Sequence, residues 1–449
     1  DEVVYEPAKA KLYFIKYGPF TLATVRPETK FGDTAVAVNP DDDRYKKYIG
    51  QMIRVKDVLG ESDILVIGDK AVDPEFGTGV VKVTPAHDAV DFAMGQRHGL
   101  EVRQVIDEEG KLNARAGKYA GMFVEDAREK VVADLKELGL LEKIEEYQHN
   151  IAVCYRCNTV VDPLVSLQWF VDVDKPVLPD GAAGAHGALG AHDAKKISLK
   201  DRSVQVVKKG EIKIIPDRFN KVYYHWMENL HDWCISRQIW FGHRIPVWYC
   251  LDCYKPEAVG AGKSENKSSG KDKHVKGMVV SINQPPSCPD CNGTKFVQDP
   301  DTLDTWFSSG LWTFSTLGWP EETEDLKYFH PSSVLETGYD ILFFWIARMI
   351  LMTSYAMHTI PFHTVYLHGM VRDDKGRKMS KSLGNIIDPL DMIARFGTDP
   401  VRLSLLIGTT PANDMKMSEE KISGYRNFVN KVWNVSRFIL MNAEPTAAN

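Results

Sequence analysis

Six of the seven cysteines fall into three Cys-x-x-Cys pairs, Cys154/Cys157, Cys250/Cys253 and Cys288/Cys291. With no secretion signal in view, this spacing points to metal rather than to disulfides. Cys250 and Cys253 together with Cys288 and Cys291 have the pattern of a four-thiolate ribbon, each pair on a tight knuckle around a structural Zn2+. A polar Gly/Ser/Lys insert at Gly260–Gly277 accounts for much of the long gap between them. Cys154 and Cys157 lack a partner pair, because the remaining Cys234 lies in a stretch read as helical. They are expected to form a half-site.

A second constellation is Lys378-Met379-Ser380-Lys381-Ser382-Leu383-Gly384-Asn385, after a strand-like Val365–Leu367 and a turn at Asp373–Gly376. Two lysines three apart on a Ser/Gly-rich loop bring mobile positive charge to a polyphosphate, and hydroxyls add hydrogen bonds. Chemistry that expels pyrophosphate needs such charge on developing negative oxygens. A bare Lys-x-x-Lys would read as a solvated basic loop; eight residues in this context do not.

The third lies in Val81–Asp91, which runs from a strand into a helix start. Asp88 and Asp91 are three apart, so on a helix they would share a face. A carboxylate pair suits a substrate ammonium group. The competing reading is a helix cap with Asp in the first turn, strong for Asp88 alone. No Ser/His or Cys/His nucleophile pair accompanies them, so a hydrolysis here would use positioned water. His87 is the candidate base, though a lone His at a helix start more often serves structure.

The elements that must carry these residues read as α/β. Strand-like runs at Phe20–Ala23, Ala35–Val38, Ile64–Ile67 and Val80–Val83 are separated by Gly, Pro and Asp turn signals. Helical patterns appear at Asp88–His98 and at Val124–Leu138, with Gly139 as a stop. Aromatic-rich helical patterns recur at Trp226–Gly242 and Thr337–His358, and Ser418–Met441 reads as one long amphipathic helix. Asp180–Ala194 is a Gly/Ala-rich connection. At 449 residues the chain has room for two to four domains. The apolar run Ile341–Met352 is too short for a membrane span and carries Arg348. A net charge of −6 announces no global nucleic-acid footprint. The basic stretch Lys195–Lys221 is equally a solvated surface or an RNA contact. The chain opens on Asp1 rather than Met, as if cut from a longer one.

The Lys378–Asn385 segment resembles the Lys-Met-Ser-Lys-Ser signature of the class I aminoacyl-tRNA synthetases. Glu336–Asp340 and His368-Gly369 resemble adenosine- and aminoacyl-contacting segments of that family. Trp233–Gln238 resembles its branched-chain subgroup, and Asp304–Trp312, Ser315–Pro320 and Thr24–Thr29 are similar to valyl members within it. The resemblance implies an editing domain, α/β and barrel-like, at 1–148, inserted in a Rossmann-type catalytic domain. A zinc-knuckle stem at 149–216 would follow. The C-terminal half of the catalytic domain would occupy 217–412, with a zinc ribbon at 248–298, and a helical anticodon-binding domain would begin at 413–449.

It further implies ATP with Mg2+ bound by Lys381, Gly338, Asp340 and His368, with Lys378, Ser380, Lys381 and Ser382 serving catalysis. Trp306, Ile341 and Trp345 would enclose a valine side chain; ordinary core aromatics are the alternative. Such a pocket rejects threonine poorly, by about a hundredfold, because it cannot strongly exclude an isostere that only adds a hydroxyl, so a hydrolytic site is needed. Arg26, Thr29, Lys82 and Thr84 would join Asp88 and Asp91 there, Arg26 and Lys82 on the terminal adenosine and its phosphate. The implied partners are tRNA(Val), valine and edited threonine, for a cytoplasmic monomer. No His-Ile-Gly-His sequence occurs in the chain, so it is expected to edit but not to synthesise. Isoleucyl or leucyl enzymes, and a stand-alone trans-editing hydrolase or RNA-binding module, are the alternatives.

Overall fold

The structure, a computed structural model, describes residues 3–154, 157–177, 197–255, 275–380 and 384–443. Lys381 and Ser382, the Asp180–Ala194 connection and most of the Gly260–Gly277 insert lie outside the described residues. By contacts the chain forms two compact units, Asp1–Leu167 with Trp248–Val297, and Gln168–Val247 with Gln298–Asn449. The ribbon segment thus groups with the first unit by contacts.

In the first unit, β1 (Val3–Tyr17) pairs antiparallel with β2 (Phe20–Thr24) on one side and with β7 (Leu141–Cys154) on the other. A second sheet has the order β4 (Met52–Asp57), β5 (Gly60–Gly68), β3 (Ala35–Val38), β6 (Val80–Val83). The all-apolar Ala35-Val36-Ala37-Val38 sits between two neighbours with every residue at 0% exposure. A strand covered on both faces needs such a continuous apolar run. Edge strand β4 instead alternates, with Ile53 and Val55 buried and Met52 and Arg54 exposed, as one covered face dictates.

Helix α2 (Val124–Glu137) buries Ala127, Val131 and Leu135, spaced four apart on one stripe. Two residues past its end, Gly139 takes φ 67°, the left-handed stop its type supplies. Helix α1 (Ala89–His98) starts at the N-cap Asp88 and ends on left-handed Gly99.

The second unit is built on a parallel sheet of Lys213–Ile215, Phe362–His368 and Ser332–Gly338, with Phe362–His368 in the centre. Helix Arg348–Ala356 covers it and buries every residue from Arg348 to Ser354. It is preceded by a π-helical turn, Leu342–Ala347, a rare form that is frequent at functional sites. Ser418 caps the helix Glu419–Asn442 through its side chain.

One expected element is corrected. Trp226–Gly242 is not helical beyond its first residues: a helix ends at Glu228, and Trp233–Cys234 and Ser236–Arg237 are short strands. Trp233 pairs with Val171 and Ser236 with Leu303. These pairings satisfy the backbone across the chain, which outweighs a local helical spacing. Cys234 is accordingly on a strand. Among the described residues no helix is long and apolar enough to cross a membrane.

Candidate functional site

In the first unit the sequence-predicted residues converge on Lys82. Its neighbours Val81 and Val83 belong to β6, and Thr84 leaves that strand into the turn before α1. Thr29 comes from the 3-10 turn Pro27–Gly32. The Lys82 ammonium has three protons and meets three acceptors: Thr29 Oγ1 at 2.7 Å, Thr84 Oγ1 at 2.6 Å and Asp33 Oδ1 at 3.4 Å. Both hydroxyls pass their own protons inward, Thr29 to the Arg26 carbonyl at 3.0 Å and Thr84 to Asp33 Oδ1 at 2.7 Å. Lys82 is therefore committed to hydroxyls and a carboxylate within the chain.

Asp33 was not singled out by the sequence, where one Asp after a Gly carries no spacing signal. It is buried, and Tyr17 donates to its Oδ2 at 2.7 Å. Burial raises its carboxyl pKa, opposed chiefly by the Lys82 charge. Such a group is tolerated inside only because donors surround it.

The two paired aspartates part company. Asp88 stands one residue ahead of the helix, exposed, and its carboxylate accepts from the Val90 and Asp91 N–H groups at 2.8 and 3.0 Å. That is a helix cap. Asp91, inside the first turn, accepts from the Thr84 N–H at 2.8 Å, and burial pushes its pKa up to about 6. Arg26 grips Asp162 through Nη2 at 2.7 and 2.9 Å and reaches the His87 carbonyl at 3.1 Å. Asp162 was also missed by the sequence, being 136 residues from its partner. His87 is 1% exposed, and its Nε2 accepts from the Val105 N–H at 2.9 Å. Burial brings its pKa down to about 4, so the ring is neutral and serves as a tie between segments.

The four ribbon cysteines come together. Cys250 and Cys291 sulfurs are 3.6 Å apart, as are Cys253 and Cys288, and all four lie within 4.8 Å of one another. A tetrahedral Zn–S length of about 2.3 Å implies sulfur separations near ~3.8 Å, so the donor set fits zinc. The knuckles leave no room for side chains. A Cβ on Gly277 would sit 2.9 Å from the Cys253 sulfur, and one on Gly293 would sit 3.2 Å from the Cys250 sulfur. Cys154 and Cys157 join no group of three or more ligands among the described residues. The Cys157 thiol donates to Thr159 Oγ1 at 3.2 Å.

In the second unit, Gly338 and His368 are register partners at the carboxyl ends of adjacent parallel strands. Ligands bind at that end of such sheets. A Cβ on Gly338 would lie 2.7 Å from Asp340 Oδ1 and 3.5 Å from His368 Cε1. Gly369 is tighter still, since a Cβ there would come within 1.8 Å of the Asn413 carbonyl oxygen. His368 Nε2 lies 3.5 Å from Glu336. Trp306 stacks on Phe344, and Trp345 meets Trp312 edge-on while donating its Nε1–H to the Ser309 carbonyl at 3.1 Å. Ile341 closes the turn before the π-helical segment and is half-buried. Lys378 bridges to Arg372, and Ser380 N–H donates to Asn385 Oδ1 at 2.9 Å. Arg348 was missed as well: it is buried, with its guanidinium 4.1 Å from the Trp233 ring centre and 4.7 Å from that of Phe343.

A model of the tRNA synthetases class I (I, L, M and V) matches residues 41–418, and the chain belongs to that family. It has the mixed α/β fold of the class. Its relatives include valine–tRNA ligases. The chain is 49% identical to that of Symbiobacterium thermophilum, over 98% of this chain and 44% of that one. It is 48% identical to that of Dehalococcoides mccartyi, over 98% and 45%, and 46% identical to that of Clostridium tetani, over 99% and 46%. The chain thus spans less than half the length of these relatives.

Proposed function

We propose that the chain serves a valine–tRNA ligase, and that its first unit hydrolyses threonine wrongly esterified to tRNA(Val). Identity of 46–49% along 98–99% of the chain supports the valyl reading over isoleucyl or leucyl alternatives. The convergence of Thr29, Lys82, Thr84 and Asp91 carries the hydrolytic reading. Asp91 binds the α-ammonium of the aminoacyl ester. The threonine hydroxyls face the substrate side chain or the water, and Arg26 exchanges Asp162 for a phosphate of the tRNA end. Asp88 holds Asp91 in place through the helix start. No nucleophile pair is needed, because water is the attacking group.

In the second unit, Gly338, Asp340 and His368 hold adenosine, and the Lys378–Ser382 loop brings charge to the phosphates of ATP with its Mg2+. Trp306, Ile341 and Trp345 form the valine pocket. Cys250, Cys253, Cys288 and Cys291 hold a structural Zn2+, and tRNA(Val) is the macromolecular partner of a cytoplasmic monomer. The test is deacylation by the chain of threonyl-tRNA(Val) against valyl-tRNA(Val). Hydrolysis of the first with sparing of the second is expected, and equal or absent hydrolysis would remove the assignment.

A further inference from the structure

The hydrogen bonds around Lys82 have a direction. A lysine ammonium only donates, so Thr29 Oγ1 and Thr84 Oγ1 must accept from it. Each hydroxyl has one proton, and both are already given away, to the Arg26 carbonyl and to Asp33. What remains on each oxygen is a lone pair. The cluster has no proton to offer an incoming group through either threonine. It accepts from donors.

Asp33 sets this polarity at Thr84. Its Oδ1 takes the Thr84 proton and touches the Lys82 ammonium, while its Oδ2 is anchored by Tyr17. Tyr17 and Asp33 are themselves buried, at 2% and 4% exposure, so water does not compete for these bonds. Without a carboxylate here, the Thr84 hydroxyl is free to rotate, and the Lys82 charge loses the anion it contacts.

We propose that Asp33 is a positioning residue of the hydrolytic site, holding Lys82 and Thr84 so that the site accepts a hydrogen bond from an O–H donor. This rests on the hydrolytic reading above. Two donors have that chemistry: the β-hydroxyl of a threonyl ester, and the attacking water. In the reaction, water oxygen bonds to the ester carbonyl carbon, the bond to the ribose oxygen breaks, and a water proton passes to that ribose oxygen. An acceptor on the water aligns its lone pair with the carbonyl; an acceptor on the substrate hydroxyl selects threonine over valine, which has no such donor.

The experiment compares deacylation of threonyl-tRNA(Val) by the chain and by Asp33→Asn and Tyr17→Phe across pH 5.5–9, as kcat and KM. The amide of Asp33→Asn can still present an oxygen to Thr84 and donate to Tyr17, so folding is expected to survive; thermal unfolding checks it. Should that variant not fold, Asp33→Glu, which keeps the charge but displaces the oxygens, is read in the same way. We expect the Asn variant to lose about tenfold near pH 8, because Lys82 and Thr84 lose the anion that orders them. A rise in KM identifies the substrate hydroxyl as the donor, and a fall in kcat identifies the water. Tyr17→Phe removes a bond of equal burial from the same carboxylate without touching Lys82 or Thr84, and should lose less than Asp33→Asn. An unchanged rate in Asp33→Asn, or an equal loss in Tyr17→Phe, would overturn the proposal. Failure of the unmodified chain to hydrolyse the ester would instead overturn the hydrolytic reading.

Discussion

Asn385 reaches back across its loop to Asp373, donating from Nδ2 to Asp373 Oδ2 at 2.9 Å. The same amide donates to the Lys378 carbonyl at 3.2 Å, and its Oδ1 accepts from the Ser380 N–H. Asp373 also takes the Arg377 N–H at 2.7 Å and the Arg377 guanidinium at 2.8 Å. The signature's last residue thus ties Lys378 and Ser380 to the turn at Asp373. The hydrogen bond from Asn385 is the largest of the influences that bring the Asp373 pKa down to about 2.

Asn385→Ala should therefore loosen Lys378 and Ser380 from the Asp373 turn without touching the sheet. Tryptic cleavage after Lys378 is the measure, and it should quicken severalfold. The pH sign follows from the lowered Asp373 pKa: the clamp is complete above the ordinary carboxylate range. It is lost as pH falls from about 4 to about 2. Cleavage by an acid-active protease should rise over that window in the parent chain and stay flat in Asn385→Ala. Equal cleavage of both chains at neutral pH would refute the clamp.

Asp91 gives the second prediction. Its pKa is raised to about 6, chiefly by burial, so in the free chain it is neutral below that pH and charged above it. A neutral carboxyl cannot pair with a substrate ammonium. The kcat/KM for threonyl-tRNA(Val) deacylation should then fall as pH drops through about 6. His87, at about 4, is already neutral over that range and contributes no limb there. Asp91→Ala should cost about 1.5–3 kcal/mol of a charge-assisted contact, roughly tenfold to a hundredfold in rate, and should abolish the limb. The stability sign is opposite. Because the folded pKa is raised, ionising Asp91 costs stability as pH climbs from about 4 to about 6.

Much of this arrangement was legible in the sequence, and the exceptions have physical causes. Ala35–Val38, Val80–Val83 and Val124–Glu137 appeared where apolar period and stop signals put them. The long strands β1 and β7 did not. Leu141–Cys154 carries Glu142, Lys143, Glu145 and Glu146 on exposed positions, and its strand character comes from pairing with Val3–Ile15 rather than from local pattern. A family resemblance marks Lys82, Thr29 and Thr84, and spacing from Asp88 marks Asp91; the structure brings the four together. Asp33 and Asp162 were not marked, because their roles arise from contacts 49 and 136 residues away in sequence.

The ribbon makes a stoichiometric prediction. One tightly held zinc per chain is expected, bound by Cys250, Cys253, Cys288 and Cys291, with weak or no metal at Cys154 and Cys157. Elemental analysis after exhaustive dialysis decides it; two zincs or none would refute the assignment. Cys288→Ser should lower zinc content and open residues 248–298 to proteolysis, because metal binding and local folding are coupled.

The last prediction concerns synthesis. We expect no valine-dependent ATP–pyrophosphate exchange from these 449 residues, which contain no His-Ile-Gly-His sequence. In the proposed reading the Lys378–Ser382 loop would supply charge from one side of the phosphates. Stabilising the transferring group requires donors preorganised around it, and groups that act as a unit are strongly non-additive. Gly338 and His368 still stand at the carboxyl ends of their strands, so on the proposed reading ATP contact should survive while turnover is lost. The measure is exchange of labelled pyrophosphate with saturating valine, against Lys381→Ala as the blank. Exchange above background that the Lys381→Ala change removes would mean that other residues of the chain complete the site. The same assay on a chain with a functional His-Ile-Gly-His segment supplied should recover exchange, and its failure would place the fault in the Lys378–Ser382 loop instead.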